Sequence, residues 1–274
     1  YQEVTGVQTC ALPISKDIDV LILECTRGSS PRDPEYTRRS EAEKLGQSIE
    51  QCLENDGSVM IPLFAMGKTQ ETITMLYDLQ KAKKLRRLSF LIGGLSIKMT
   101  KIYDRFSNSV RRNHLGMKLM REKGLLSTPN SRGEIPQISK GNVYTLSSGM
   151  MTEKTLSNRL ARHFVTNPRN LIASVGYADP ESPLARVLEA ERGQSVKLDS
   201  NHDPVKKECS VASFDFSGHA PRQALLEYVE QVKPSKIILV HGDQTSIEWM
   251  KDSIEKRLPE AEVHIPKPQQ EIAL

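Results

Sequence analysis

Lys236-Ile237-Ile238-Leu239-Val240-His241-Gly242-Asp243 is the stretch on which the fold turns. A short, continuous apolar run of this kind reads as a strand buried on both faces, as in a parallel sheet covered by helices. It ends in a histidine followed by a glycine. In open α/β sheets, ligands bind beyond the carboxyl ends of the strands. His241 therefore stands where a metal or a proton could be handled, and Gly242 lets the backbone turn there.

A second histidine occupies a comparable place. His219 lies in Phe216-Ser217-Gly218-His219-Ala220, just before the helical pattern of residues 222–232. Upstream, Asp19-Val20-Leu21-Ile22-Leu23 is another buried-strand run, and it ends in Glu24. A carboxylate there is either a solvated strand end or the orienting partner of an imidazole, whose tautomer such a partner fixes. Glu24 and His219 could form that pair.

Outward from these segments the chain alternates apolar runs with helical spacing. Strands are expected at 59–61, 88–92, 143–146, 171–175 and 263–265. Helices are expected at 40–55, at 70–83 with Ile73, Leu76 and Leu79 inward, at 97–106 with Ser96 as N-cap, and at 246–258. Such alternation predicts an α/β fold: a mainly parallel sheet with helices on both faces. Residues 108–140 are weakly periodic and rich in Arg, Lys, Asn, Gly and Ser. They read as a mobile excursion with one short helix at 115–123.

Composition bounds the function. With 274 residues, 38% hydrophobic and 26% charged, the chain can bury a sizeable core. No apolar run approaches the roughly 20 residues of a membrane helix, so no membrane partner is expected. The four cysteines, Cys10, Cys25, Cys52 and Cys209, form no Cys-x-x-Cys pair, which suggests reduced thiols in a cytoplasmic protein. The net charge of +4 permits a polyanionic partner. Arg111, Arg112, Lys118, Arg121 and Lys123 could steer one, although such runs are often a solvated face. Aromatics at 5% argue against a base-stacking platform.

Two further stretches are candidates for anion contact. Phe64-Ala65-Met66-Gly67-Lys68-Thr69 is not a P-loop, because Pro62 stands where that pattern needs glycine. Gly67 and the helix start after it still present N–H groups, and Lys68 adds charge. Leu146-Ser147-Ser148-Gly149-Met150 follows a strand, and its small residues allow close backbone approach to an oxyanion.

Taken together, these segments resemble the β-CASP branch of metallo-β-lactamase-fold nucleases, which includes RNase J-like enzymes and the cleavage/polyadenylation endonuclease. Leu23-Glu24-Cys25-Thr26-Arg27-Gly28 is similar to the family's usual Glu-Ser-Thr-Tyr-Gly. Phe216-Ser217-Gly218-His219-Ala220 is similar to Phe-Ser-Ala-His-Ala-Asp, and Leu239-Val240-His241-Gly242-Asp243 to Val-His-Gly-Glu. Residues 61–71, Ser147-Ser148-Gly149-Met150 and Gly176-Tyr177 agree as well, so the likeness covers everything after Ser15.

The resemblance implies a metal-dependent ribonuclease, a hydrolase cleaving phosphodiesters by endo- or exonuclease action with two zinc ions. It implies that His241 is a metal ligand, that His219 assists the leaving group, and that Glu24 holds His219. Ser148, Gly149 and Lys68 would lie near substrate phosphates. RNA is favoured over DNA as partner, although DNA-processing members exist, and a homodimer is compatible. Residues 15–29 and 205–274 would form part of a metal-binding αββα lobe, and 30–204 the inserted β-CASP domain. The alternative is a noncatalytic β-CASP scaffold or RNA-binding subunit. A hydrolase of small esters would lack the insert separating Glu24 from His219.

Departures limit the likeness. Cys25 replaces the usual Ser, Arg27 an aromatic, Lys68 an Arg, and Pro221 an Asp. The principal metal motif, His-x-His-x-Asp-His, occurs nowhere in the chain. Residues 4–14 resemble an in-frame sequencing-adapter translation, so residues 1–14 are expected to be non-native. The polypeptide is then expected to be a C-terminal fragment that cannot complete the metal site and is inactive, its full-length parent being the nuclease.

Overall fold

The computed structural model describes residues 18–110, 112–128, 138–267 and 269–272; the adapter-like segment, Cys10 and Arg111 lie outside them. The chain divides into two compact units. The larger runs from Arg39 to Phe216, and the smaller joins the chain up to Arg38 with Ser217 onward.

The smaller unit is built on three strands: β1 (Val20–Glu24), β10 (Lys236–Val240) and β11 (Glu262–His264), in the order β1-β10-β11. All pair in parallel, with Glu24 opposite Val240. One sheet face packs on helices α6 (Arg222–Val232) and α7 (Gln244–Arg257). Leu21, Leu23, Ile237 and Leu239 meet Leu226, Val229, Met250 and Ile254 in that core. Alternate strand residues point to one face, so the apolar runs place every second side chain here. Asp243 caps α7, its carboxylate accepting from the Ser246 N–H at 2.7 Å.

The larger unit is a three-layer α/β sandwich. In chain order it contains α1 (Arg38–Glu54), β2 (Val59–Pro62), α2 (Lys68–Lys81), β3 (Phe90–Gly93), α3 (Leu95–Arg105), β4 (Leu126–Ser127), β5 (Val143–Leu146), α4 (Leu156–Val165), β6 (Leu171–Ser174) and α5 (Pro183–Glu189). It closes with β7 (Ser195–Val196), β8 (Val205–Lys206) and β9 (Ser210–Ser213). Six strands form one sheet, β4-β3-β5-β2-β6-β9, with every pairing parallel; β7 and β8 make a small antiparallel ribbon. The period of two decides the layers. Val59 and Ile61 of β2 face α1 and α2 through Leu45, Ile49, Ile73 and Leu76, whereas Met60 faces Leu160 and Phe164 of α4. Each such fully buried side chain contributes roughly 1.5–3 kcal/mol. The expected parallel sheet with helices on both faces is what the chain adopts.

Two expectations are corrected, and one pairing extends the larger unit. The helix expected at 115–123 is only a 3-10 turn, Leu119–Arg121. Gly116 there has φ 79°, and the Asp104 carboxylate accepts the N–H groups of Leu119 and Met120, both at 2.8 Å. With Leu119 and Leu125 buried, that part of the excursion is anchored; residues 129–137 lie outside the described set. Ser96 does not cap α3, which starts after Gly94 at φ 64°; its hydroxyl is buried against Thr69 at 3.2 Å. Finally, β9 pairs with β6 from Leu171↔Ser210 to Ser174↔Ser213, which holds the chain in the larger unit as far as Phe216.

Candidate functional site

Glu24, His219 and His241 come together in the smaller unit, although 195 residues (219 − 24) separate the first two in sequence. β1 ends at Glu24, β10 delivers His241 from the neighbouring strand, and His219 enters from the turn before α6. Glu24 Oε2 lies 3.3 Å from His219 Nδ1. The two imidazoles stack, with centroids 5.3 Å apart and planes at 28°. Glu24 and His219 are partly buried and His241 is exposed, so the cluster is open to a ligand.

Local bonding fixes each ring. An ionised carboxylate only accepts, so Glu24 favours a proton on His219 Nδ1 and leaves Nε2 on the far side of the ring. The same Oε2 accepts the Thr26 N–H at 2.8 Å, which holds the carboxylate in place. Thr26 is the residue that sequence reasoning passed over. Its hydroxyl donates to the His241 carbonyl at 3.1 Å and sits 2.8 Å from His241 Nδ1. A hydroxyl has a single hydrogen; when it lies on the carbonyl, the ring donates to the hydroxyl through Nδ1. In that tautomer His241 Nε2 carries the lone pair a metal needs. A Thr two residues after a strand-end Glu, opposite a His-Gly, was the signal available for finding it.

Backbone geometry completes the arrangement. His241 has φ 54°, a left-handed conformation that a non-glycine residue holds only when its surroundings enforce it. Cys25 supplies part of that enforcement, its N–H lying 3.0 Å from the Val240 carbonyl and 3.1 Å from that of His241. Gly242 is obligatory: a Cβ there would sit 2.9 Å from the Cys25 carbonyl oxygen. The Cys25 thiol is fully buried, and burial first and the Glu24 charge second push it up to about 12, against the opposing hydrogen bond of Val240. It is therefore a packing group and not a nucleophile. Pro221 offers no side-chain cap to α6; Arg222 instead stacks over Trp249 at 4.1 Å and reaches the Gly28 carbonyl at 3.5 Å.

The donor set suits zinc, which takes imidazole nitrogen and carboxylate oxygen. Its ligand atoms lie within 4.8 Å of one another. Bonds of about 2.0–2.2 Å in a tetrahedral site put ligand atoms roughly 3.3–3.6 Å apart. Glu24 is moreover occupied by His219 and Thr26. The residues thus fit one corner of a metal site, with His241 as the free donor, and not a full first shell.

Lys68, Ser148 and Gly149 belong to the larger unit, beyond the C-terminal ends of the adjacent strands β2 and β5. Lys68 Nζ donates to Glu71 at 2.8 Å and to the Phe216 carbonyl. Ser148, which follows a cis peptide bond, accepts the Thr152 N–H at 2.8 Å. Gly149 packs so closely that a Cβ would lie 2.9 Å from the Phe64 nitrogen. Among the described residues of the basic run, Arg112 donates to the Tyr103 carbonyl at 2.6 Å. Cys25, Cys52 and Cys209 are free thiols, and among the described residues no helix is long and apolar enough to cross a membrane.

Comparison with known proteins gives this geometry a lineage. Residues 69–187 match the Beta-Casp domain, and residues 204–266 match the Zn-dependent metallo-hydrolase RNA specificity domain. An RNase J-like protein of Methanocaldococcus jannaschii is 30% identical over 250 residues, covering 87% of this chain and 56% of that protein. Cleavage and polyadenylation specificity factor subunit 3 of Dictyostelium discoideum is 25% identical over 266 residues, covering 94% of this chain and 33% of its own. Endoribonuclease YSH1 of Candida glabrata is 26% identical over 274 residues, covering 91% and 34% respectively. The chain spans from a third to just over half the length of these relatives. On these matches, the chain belongs to the β-CASP family of metallo-β-lactamase-fold proteins.

Proposed function

We propose that this chain is part of a metal-dependent ribonuclease that hydrolyses phosphodiester bonds in RNA. The smaller unit is the metal-binding lobe and the larger the β-CASP domain. The observation that carries the reading is the convergence of Glu24, His219 and His241, with the carboxylate 3.3 Å from one imidazole and Thr26 set against the other.

The roles follow from the bonding. His241 would be the residue that holds a zinc ion, with Thr26 set against its Nδ1 so that Nε2 is the nitrogen left for the metal. His219, held through Nδ1 by Glu24, presents Nε2 to the oxygen that leaves; in its doubly protonated form it gives that oxygen the Nε2 proton and is left neutral, with the Nδ1 proton still on Glu24's side. Zinc, when bound, would supply a water of lowered pKa and positive charge to offset the negative charge developing on the phosphate. Lys68 and the 148–149 turn bind substrate phosphates, Lys68 exchanging its contact with Glu71 for one to the strand. RNA in place of DNA follows the relatives' printed names and the matched RNA specificity domain.

Two results test this. A catalytic zinc takes about three protein ligands, and this polypeptide contributes chiefly His241. Incubated with excess zinc and end-labelled RNA, it is expected to leave the substrate intact; robust metal-dependent cleavage overturns the assignment. In a protein that carries this chain with a complete metal site, Thr26→Val is expected to weaken zinc binding about 10- to 100-fold. Competition with a chromophoric chelator reads that change, and unchanged affinity removes Thr26 from the site.

A further inference from the structure

Helix α3 of the larger unit is inside out. The side it turns inward is polar: Ser96, Thr100 and Asp104, four residues apart, are all buried. Each is hydrogen-bonded there. The Ser96 hydroxyl meets that of Thr69 at 3.2 Å, Gln70 Nε2 donates to the Thr100 hydroxyl at 2.9 Å, and Asp104 accepts the N–H groups of Leu119 and Met120. The side it turns to solvent carries large apolar residues. Leu95 is 53% exposed, Ile102 48% and Phe106 48%, with Met99 half-buried among them. The Phe106 carbonyl accepts the Val110 N–H at 3.3 Å, which carries the turn on to Val110, 55% exposed.

The spacing of this stripe is specific. Positions 95, 99, 102 and 106 step by four, three and four residues, the a and d pattern of a heptad. At about 100° per residue they fall within roughly 60° of the helix circumference. A stripe so narrow is the seam between two packed helices; the face with which a helix covers its own core is broader, about 100° or more. Single exposed apolar side chains are ordinary, whereas several aligned along one helix mark an interaction surface.

Charge selects the partner. Lys98 and Arg105 directly precede Met99 and Phe106, and so take the g positions that border the seam; Lys101 lies on the same flank. All three are exposed, and among the described residues none has an ion-pair partner. Asp104, the one acid of α3, is spent on its two N–H groups. A second copy of this chain would bring another set of cations to the same border. A helix with apolar a and d positions and glutamates on its flanks covers the stripe and neutralises the cations together.

We propose that this face of α3 is a docking site for an acidic amphipathic helix of a protein partner. It uses nothing of the Glu24–His219–His241 cluster, which belongs to the other unit.

Designed peptides test it. The full chain is titrated against fluorescent three-heptad peptides with Leu at a and d and either Glu or Lys at every e and g, like charges that keep each peptide from pairing with itself. Anisotropy is expected to show the Glu peptide binding at least about tenfold more tightly than the Lys peptide, with the gap closing as salt rises. The variant K98E/R105E, changed at exposed positions, is expected to reverse that preference. Ile102→Glu is expected to weaken the Glu peptide about tenfold or more at an unchanged melting temperature, because the side chain already meets solvent. Equal binding of the two peptides, or a preference that K98E/R105E leaves as it was, overturns the proposal. So does reassignment of the face: to a second copy, by a dimer of the chain that I102E dissociates; to lipid, by pelleting with phosphatidylserine vesicles that I102E abolishes; or to RNA, by an oligonucleotide that displaces the Glu peptide and loses affinity in K98E/R105E but not in I102E.

Discussion

Replacing His219 by alanine is expected to lower single-turnover RNA cleavage roughly 10²–10⁴-fold, the range for loss of a general acid. The setting is a protein that joins this chain to a complete metal site. Glu24→Ala is expected to cost less, about 10- to 100-fold, because the carboxylate works through the ring beside it. The decisive measurement is the double variant. If Glu24 acts by orienting His219, E24A/H219A is no slower than H219A alone, since partners in one unit are not additive. RNA affinity is expected to stay within a few-fold throughout. Costs that multiply in the double variant would assign Glu24 a separate role, such as direct metal ligation, and would end the paired reading.

A large effect on the stability of the smaller unit is expected at Gly28. A Cβ at that position would lie 2.0 Å from the Ser246 carbonyl oxygen and 2.7 Å from its carbon. Both are main-chain atoms in the first turn of α7, and neither can rotate away. Overpacking costs typically 1–3 kcal/mol and occasionally more, and an immovable neighbour puts Gly28→Ala at about 3 kcal/mol. For a unit of this size about 1 kcal/mol shifts Tm by 4–8 °C, so a fall of roughly 12–24 °C is expected for the smaller unit. Gly46→Ala is the control. Its Cβ would approach only the Leu79 Cδ1 methyl, at 2.9 Å, a side chain that can turn, and alanine regains about 1 kcal/mol of helix propensity. Thermal denaturation of both variants decides the matter: equal melting temperatures would show that the Gly28–Ser246 approach is not a constraint.

Gly28 also shows how much could be read in advance. The strand–helix alternation, the buried runs at 20–24 and 236–240, and the two histidines at element ends were legible, because each depends on neighbours along the chain. The match of residues 222–232 and 236–240 to α6 and β10 is complete. What was not legible depends on distant partners. Thr26 matters because His241 adopts a left-handed backbone 215 residues away, which no local pattern announces. β9, Ser-Val-Ala-Ser, is too short and polar to read as a strand; it forms because β6 offers a free edge. The 3-10 turn at 119–121 replaced a helix because a carboxylate from α3 captured its N–H groups.

The pairing of β1 with β10 sets an order of events during synthesis. Val20 meets Lys236, so the first strand emerges from the ribosome 216 residues (236 − 20) before its partner. At translation speeds of about 5–20 residues per second, that is a wait of roughly 11–43 s. The intervening segment can use it. Glu41 at the start of α1 accepts the Asp215 N–H at 2.8 Å, so the larger unit, once folded, clamps its own two ends side by side. The entropy of closing a very long loop is then met before β10 exists. Folding of the insert thus shortens the loop that the pairing of β1 with β10 has to close.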